Sequence, residues 1–106
     1  MRLDRIERDE EVLVDIINCE NRPELNATSF ACRTVDVSEN GMKVVSDLAI
    51  PVSTRLGLRL DFSSMVYRLE GEVRWSKDEG MNYIGLLLDA QSQDIVCWTR
   101  MFQMDL

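Results

Sequence analysis

Strict alternation is the strongest constraint on this chain. Leu56, Leu58, Leu60 and Phe62 are apolar, with Gly57, Arg59 and Asp61 between them. Beyond Ser63 and Ser64, Tyr67, Leu69, Gly71, Val73 and Trp75 alternate with Arg68, Glu70, Glu72 and Arg74. A period of two marks strands with one face on a core and the other in water. Two such runs joined by a serine turn predict an antiparallel hairpin. The side carrying Arg68, Glu70, Glu72 and Arg74 is then its solvated outer face.

The same test places the other elements. Val12, Val14 and Ile16 alternate with Leu13 and Asp15, predicting a strand that ends near Asn18. Residues 20–28 hold Asn21, Pro23 and Asn26 and read as a loop. Residues 30–37 form a second strand, with Phe30, Cys32, Thr34 and Asp36 on one side and Ala31, Arg33, Val35 and Val37 on the other. A third strand spans 42–45, Pro51 and Ser53 mark a turn, and residues 77–80 mark another. Residues 83–88 are a denser apolar strand, consistent with cover on both faces. At the C-terminus the period changes: Ile95, Trp98 and Phe102, with Met101, sit three and four apart. That spacing predicts a helix over 91–104 with one apolar stripe, capped by Ser92 or Asp89.

Six short strands and one terminal helix predict a single domain over residues 1–106. Its expected class is all-β with a C-terminal helix, a six-stranded antiparallel β-barrel whose closure removes exposed edges. The helix would plug one end or cover the seam. Residues 1–11 form a flexible charged leader, in which Arg2, Arg5 and Arg8 interleave with Asp4, Glu7, Asp9, Glu10 and Glu11.

Composition narrows the function. A net charge of −7 argues against a DNA or RNA partner, which needs a basic face. The chain has no histidine, the commonest general base and metal ligand, and no phosphate-cradling loop. Neither a catalytic set nor a metal site is expected. Cys19, Cys32 and Cys97 are odd in number and form no C-x-x-C, so they read as small semi-buried hydrophobes. No apolar run approaches the roughly 20 residues of a membrane span, and residues 1–11 lack a signal-peptide core, so a cytoplasmic location is expected.

One turn stands out for chemistry. Residues 36–41 read D-V-S-E-N-G and join the strand over 30–37 to that over 42–45. Asp36 and Ser38 carry groups that bond either to nearby backbone or to a ligand, with Asn40 beside them. Gly41 supplies either a special backbone angle or a close approach. On this evidence alone the turn is either structural or a binding site.

The pattern D-x-S-x-x-G at residues 36–41 resembles the second signature of the PilZ domain family, known as receptors for cyclic di-GMP (c-di-GMP). The resemblance extends to Met42-Lys43-Val44, to Gly71-Glu72-Val73-Arg74-Trp75, to Tyr83-Ile84-Gly85-Leu86 and to the terminal helix. It implies a PilZ-like split barrel and c-di-GMP as ligand. The family's first signature, R-x-x-x-R in a segment before the first strand, is absent from that segment: Arg2, Arg5 and Arg8 lie three apart. In one alignment Arg5 takes the second arginine position; in another Arg8 does, with Asp4 at the first.

The resemblance implies a ligand set of Arg2, Arg5, Arg8, Asp36, Ser38, Asn40, Gly41 and Trp75. Arginine forks suit phosphates and the O6/N7 edge of guanine. Asp36 suits the guanine N1–H and N2–H edge, and Trp75 suits a stacked base. The implied function is a c-di-GMP receptor and adaptor, not an enzyme, whose leader changes conformation and signals to a downstream protein partner in motility or biofilm control. A monomer or weak dimer is expected. The alternative is a PilZ domain that binds no nucleotide and serves as a protein–protein interaction module.

Overall fold

The structure, a computed structural model, describes residues 6–62 and 64–104. The strands are β1 (Ile6–Glu7), β2 (Glu11–Asn18), β3 (Ser29–Val37), β4 (Gly41–Ser46), β5 (Arg55–Phe62), β6 (Met65–Asp78) and β7 (Asn82–Leu88), followed by helix α1 (Ile95–Met104). A 3-10 turn, Pro23–Leu25, occupies the loop between β2 and β3. Around the sheet the order is β3-β2-β5-β6-β7-β4, and β4 pairs back to β3. The result is the expected closed six-stranded antiparallel barrel. β1 adds a short pairing along β3.

Alternation sends every second side chain inward. Val12, Val14, Ile16, Leu56, Leu58, Leu60, Phe62, Leu69, Val73 and Ile84 fill the barrel. Helix α1 closes one end with Trp98, which is fully buried and meets Phe62, Tyr67 and Phe102 edge-to-face at centroid distances of 5.5, 5.3 and 5.1 Å. β7 is not covered on both faces along its length, since Leu87 is exposed. Cys19 and Cys32 are buried, and burial pushes the Cys32 thiol up to about 12. Cys97, by contrast, is exposed on the helix.

The helix starts later than its sequence pattern predicts. It begins at Ile95, and neither candidate cap serves it. The Asp89 carboxylate accepts from the Gln91 N–H at 2.7 Å, while the Ser92 hydroxyl bonds to the Glu70 backbone. The Asp94 carboxylate accepts from the Arg68 N–H at 2.7 Å. Ser92 and Asp94 thus fasten the segment to β6, and Asp89 is taken by the Gln91 N–H and by Arg55 of β5, which holds residues 89–94 out of helix.

β3 carries irregularities on both edges, and they change which side chains face out. Toward β4 the register shifts between Thr34 and Asp36, leaving Val35 as an extra residue. Such a bulge reverses the parity of everything after it. Val37 therefore points into the core, and Asp36 does not share the inward side with Cys32 and Thr34 as the alternation predicts. Toward the chain start, residues 8–10 face only Thr34 and Val35. Buried Thr34 holds this second bulge: its hydroxyl accepts from the Glu10 N–H at 2.9 Å and donates to the Arg8 carbonyl. Residues 6–11, assigned by sequence to the leader, thus run along β3. Thr34→Val keeps the shape and removes both bonds. It is expected to destabilise the fold by about 1–3 kcal/mol in urea titration.

Among the described residues, no helix is long and apolar enough to cross a membrane. None of them forms a group of three or more metal-ligating side chains.

Candidate functional site

The turn between β3 and β4 is held from three sides. The Ser38 N–H donates to the Gly41 carbonyl at 2.8 Å, and the Leu88 N–H donates to the Asn40 carbonyl at 2.8 Å. The Trp98 indole N–H donates to the Ser38 carbonyl at 3.0 Å. Ser38 is only 3% exposed, and its hydroxyl lies 3.3 Å from the Gly41 carbonyl and 3.4 Å from Asn40 Oδ1. In this arrangement Ser38 shapes the turn from beneath. A Cβ on Gly41 would stand 2.9 Å from the Leu86 carbonyl. Close approach of strand β7, rather than a special backbone angle, is what excludes a side chain there.

The bulge in β3 has a counterpart in β6. There the register to β7 shifts between Val73 and Trp75, and Arg74 is the extra residue. Continued alternation would place Trp75 inward with Val73; instead it is 38% exposed. Two separate bulges thus turn Asp36 and Trp75 to the outside.

The pairings place these residues in one line. Asp36 pairs with Lys43, Lys43 with Gly85, and Gly85 with Trp75. Directly paired residues project from the same face. With strands about 4.8 Å apart, three steps span roughly 14 Å. Gly85 leaves a gap that the indole fills: a Cβ there would fall 2.1 Å from Trp75 Cε2 and Nε1. The ring therefore lies against the sheet. The Lys43 ammonium sits 6.0 Å from the Trp75 ring and 5.2 Å from that of Tyr83. Asn40, Gly41, Arg74, Trp75 and Gly85 line a shallow groove of about 260 Å³ beside this row.

Arg8 lies elsewhere. Its guanidinium stacks 4.3 Å from the centroid of Phe62 and bonds Glu10 at 2.9 Å. Phe62 is a core residue at the end of β5, so Arg8 is not part of the outer row. Arg2 and Arg5 lie outside the described residues. The structure therefore brings together Asp36, Asn40, Gly41 and Trp75, buries Ser38 beneath them, and sets Arg8 apart.

Lys43 was missed by the sequence analysis. Its signal was present: Met42 and Val44 flank it at inward positions, so alternation puts it outward. What the alternation lacked was the register that sets it between Asp36 and Trp75. The row now offers an acceptor, a cation and an aromatic face, the groups that a guanine edge, a phosphate and a base each require.

Residues 7–100 match the PilZ domain family. The fold is similar to the PilZ domain with c-di-GMP of YcgR from Escherichia coli, with a TM-score of 0.68 at 13% identity, covering 97% of this chain and 86% of that one. It is similar to the Bacillus subtilis inhibitor of motility, MotI/DgrA, with a TM-score of 0.72 at 13% identity, covering 97% and 49%. The third is Borreliella burgdorferi PlzA in complex with c-di-GMP, with a TM-score of 0.60 at 16% identity, covering 93% and 39%. The chain thus spans less than half the length of the last two. At such identities these likenesses establish the fold. No curated protein matches the sequence. The match over residues 7–100 shows that this chain, a closed barrel with one C-terminal helix, belongs to the PilZ domain family.

Proposed function

We propose that the protein is a c-di-GMP receptor whose ligand lies on the outer face of β3, β4, β7 and β6. The observation that carries this reading is the row Asp36, Lys43, Gly85, Trp75. Asp36 accepts from a guanine edge, Lys43 meets a phosphate, and Trp75 stacks on a base. Asn40 lines the approach, Gly41 permits it, and Ser38 keeps the turn in shape. Arg2, Arg5 and Arg8 supply guanidinium groups to the phosphates and guanines. For Arg8 this means leaving Phe62 and Glu10, contacts worth about 1 kcal/mol at a partly exposed site. A charge-assisted bond to a phosphate is worth about 1.5–3 kcal/mol, so the exchange favours the ligand.

The role is that of a cytoplasmic receptor and adaptor rather than an enzyme. Engagement of these arginines by the ligand changes the surface shown to a downstream protein. The name of the Bacillus relative, an inhibitor of motility, supports motility as the output. Calorimetric titration with c-di-GMP, with GTP as control, tests this: saturable, nucleotide-specific heat is expected. Asp36→Ala is expected to weaken binding about tenfold or more, by loss of one charge-assisted bond. Unchanged affinity would remove Asp36 from the ligand set.

A second reading, a PilZ module that binds partner proteins and no nucleotide, is favoured by Arg8 being already engaged and by the missing R-x-x-x-R spacing in residues 1–11. Absence of heat and of any shift in melting temperature with c-di-GMP would select it.

A further inference from the structure

Asp36 distinguishes one base of the proposed ligand, but the base on Trp75 is held by stacking, and an aromatic face accepts every base. A row that ended there would read only half of a cyclic dinucleotide. The side chain next to the indole removes that limit. In a regular strand, neighbours in sequence point to opposite faces. The bulge in β6 suspends this rule: Arg74 and Trp75 both line the groove that Asn40, Gly41 and Gly85 also line. Trp75 lies against the sheet over Gly85, so a base stacked on it lies parallel to the sheet with its edges toward the groove walls. Arg74 is one of those walls. Its donors are also within call. Arg8 donates to Glu10 at 2.9 Å and Arg55 to Glu70 at 2.8 Å. Arg74 is 58% exposed, and among the described residues its ion pair is a 3.8 Å contact to Glu72, too long for a hydrogen bond. An exposed pair of that length contributes little. Breaking it frees a planar fork for a matching pair of acceptors.

Resting on the c-di-GMP site proposed above, we infer that Arg74 is the specificity residue for the second base: its fork takes O6 and N7 of the guanine stacked on Trp75. Guanine presents two acceptors side by side on that edge. Adenine presents one acceptor beside an amino donor, which opposes the guanidinium N–H groups. Selection therefore comes from a mismatch as well as from a bond. Lys43 does not replace Arg74 in this role, because an ammonium is a point charge without a fixed fork. Asp36 reads its guanine at the other end of the row, roughly 14 Å away across three strand spacings. The site thus requires guanine at both ends. Charge by itself does not draw this distinction, since cyclic dinucleotides carry the same two phosphates whatever their bases.

Calorimetric titration of the full chain with c-di-GMP and with cyclic GMP–AMP tests the assignment. The hybrid keeps both phosphates and exchanges one guanine for adenine, so in either orientation it forfeits one reader. The parent should prefer c-di-GMP about tenfold or more, as one bidentate base contact provides. Arg74→Met removes the fork and should bring the two affinities together, with the hybrid's guanine at Asp36 and its adenine on Trp75. Arg74→Gln offers a donor and an acceptor that match adenine N6 and N7, and should reverse the preference. Both variants remove the same charge, so a phosphate contact would weaken both ligands equally and leave their ratio unchanged. Arg74 is exposed, so melting temperatures should stay close to that of the parent. A parent that binds c-di-GMP without preferring it, or variants that keep the parental ratio, would overturn the role of Arg74 and leave the receptor reading standing. A parent that binds neither ligand would overturn both.

Discussion

Trp98→Ala is expected to cost about 3–5 kcal/mol of stability, the range for deleting a large aromatic from a packed core. A domain of this size has roughly 5–15 kcal/mol in all, so the variant should sit near the edge of folding. The magnitude follows from position. Trp98 is fully buried and stands among Phe62, Tyr67 and Phe102, tying strands β5 and β6 to α1. Its indole N–H is also the donor to the Ser38 carbonyl. Trp98→Phe separates the two roles. It keeps most of the aromatic packing and orphans that carbonyl, for an expected loss of about 1–3 kcal/mol. Amide exchange should then speed up at Ser38 and Leu88, whose N–H groups hold the turn, before it does so in the strands. Guanidinium titration with hydrogen exchange reads both effects. A Trp98→Ala protein of nearly parental stability would show that the helix is not the plug of this barrel.

Gly85→Ala should behave in the opposite way, sparing the fold and damaging the site. The new methyl would stand 2.1 Å from the Trp75 ring, so ring and methyl do not coexist in their present places. Trp75 is partly exposed and contributes little to the core, so the indole can swing away at a cost within about 1 kcal/mol. Stacking on a base is lost with it. Under the proposed function, c-di-GMP affinity should fall by about 1–3 kcal/mol, roughly five- to 150-fold, and Trp75→Ala should match it. Thermal melting and calorimetry on the same samples separate the two quantities. A Gly85→Ala protein that binds like the parent would remove Trp75 from the site.

These predictions rest on features of unequal visibility in the sequence. The hairpin at 56–75 and the Trp98 stripe follow from local periodicity, because a strand or helix must turn its apolar side to one core. The late start of α1 was hidden: Asp89, Ser92 and Asp94 are good capping residues locally, yet the Arg68 and Glu70 backbone groups of β6 claim Asp94 and Ser92, and Arg55 and the Gln91 N–H claim Asp89. The inward placement of Asp36 failed for a related reason. Parity holds only until a bulge, and a bulge is a property of two strands together, not of the residues in one.

The sequence by itself determined the barrel, its terminal helix, the position of the D-V-S-E-N-G turn and the three-residue spacing of Arg2, Arg5 and Arg8. Each depends on residue type and spacing within a short window. Only the tertiary structure decided that Asp36 and Trp75 face outward, that Lys43 and Gly85 lie between them, that Ser38 is buried under Trp98, and that Arg8 rests on Phe62. Those facts depend on register between strands and on contacts spanning up to 60 residues. A shift of one residue in pairing reverses every side chain that follows it, and no local window records that shift.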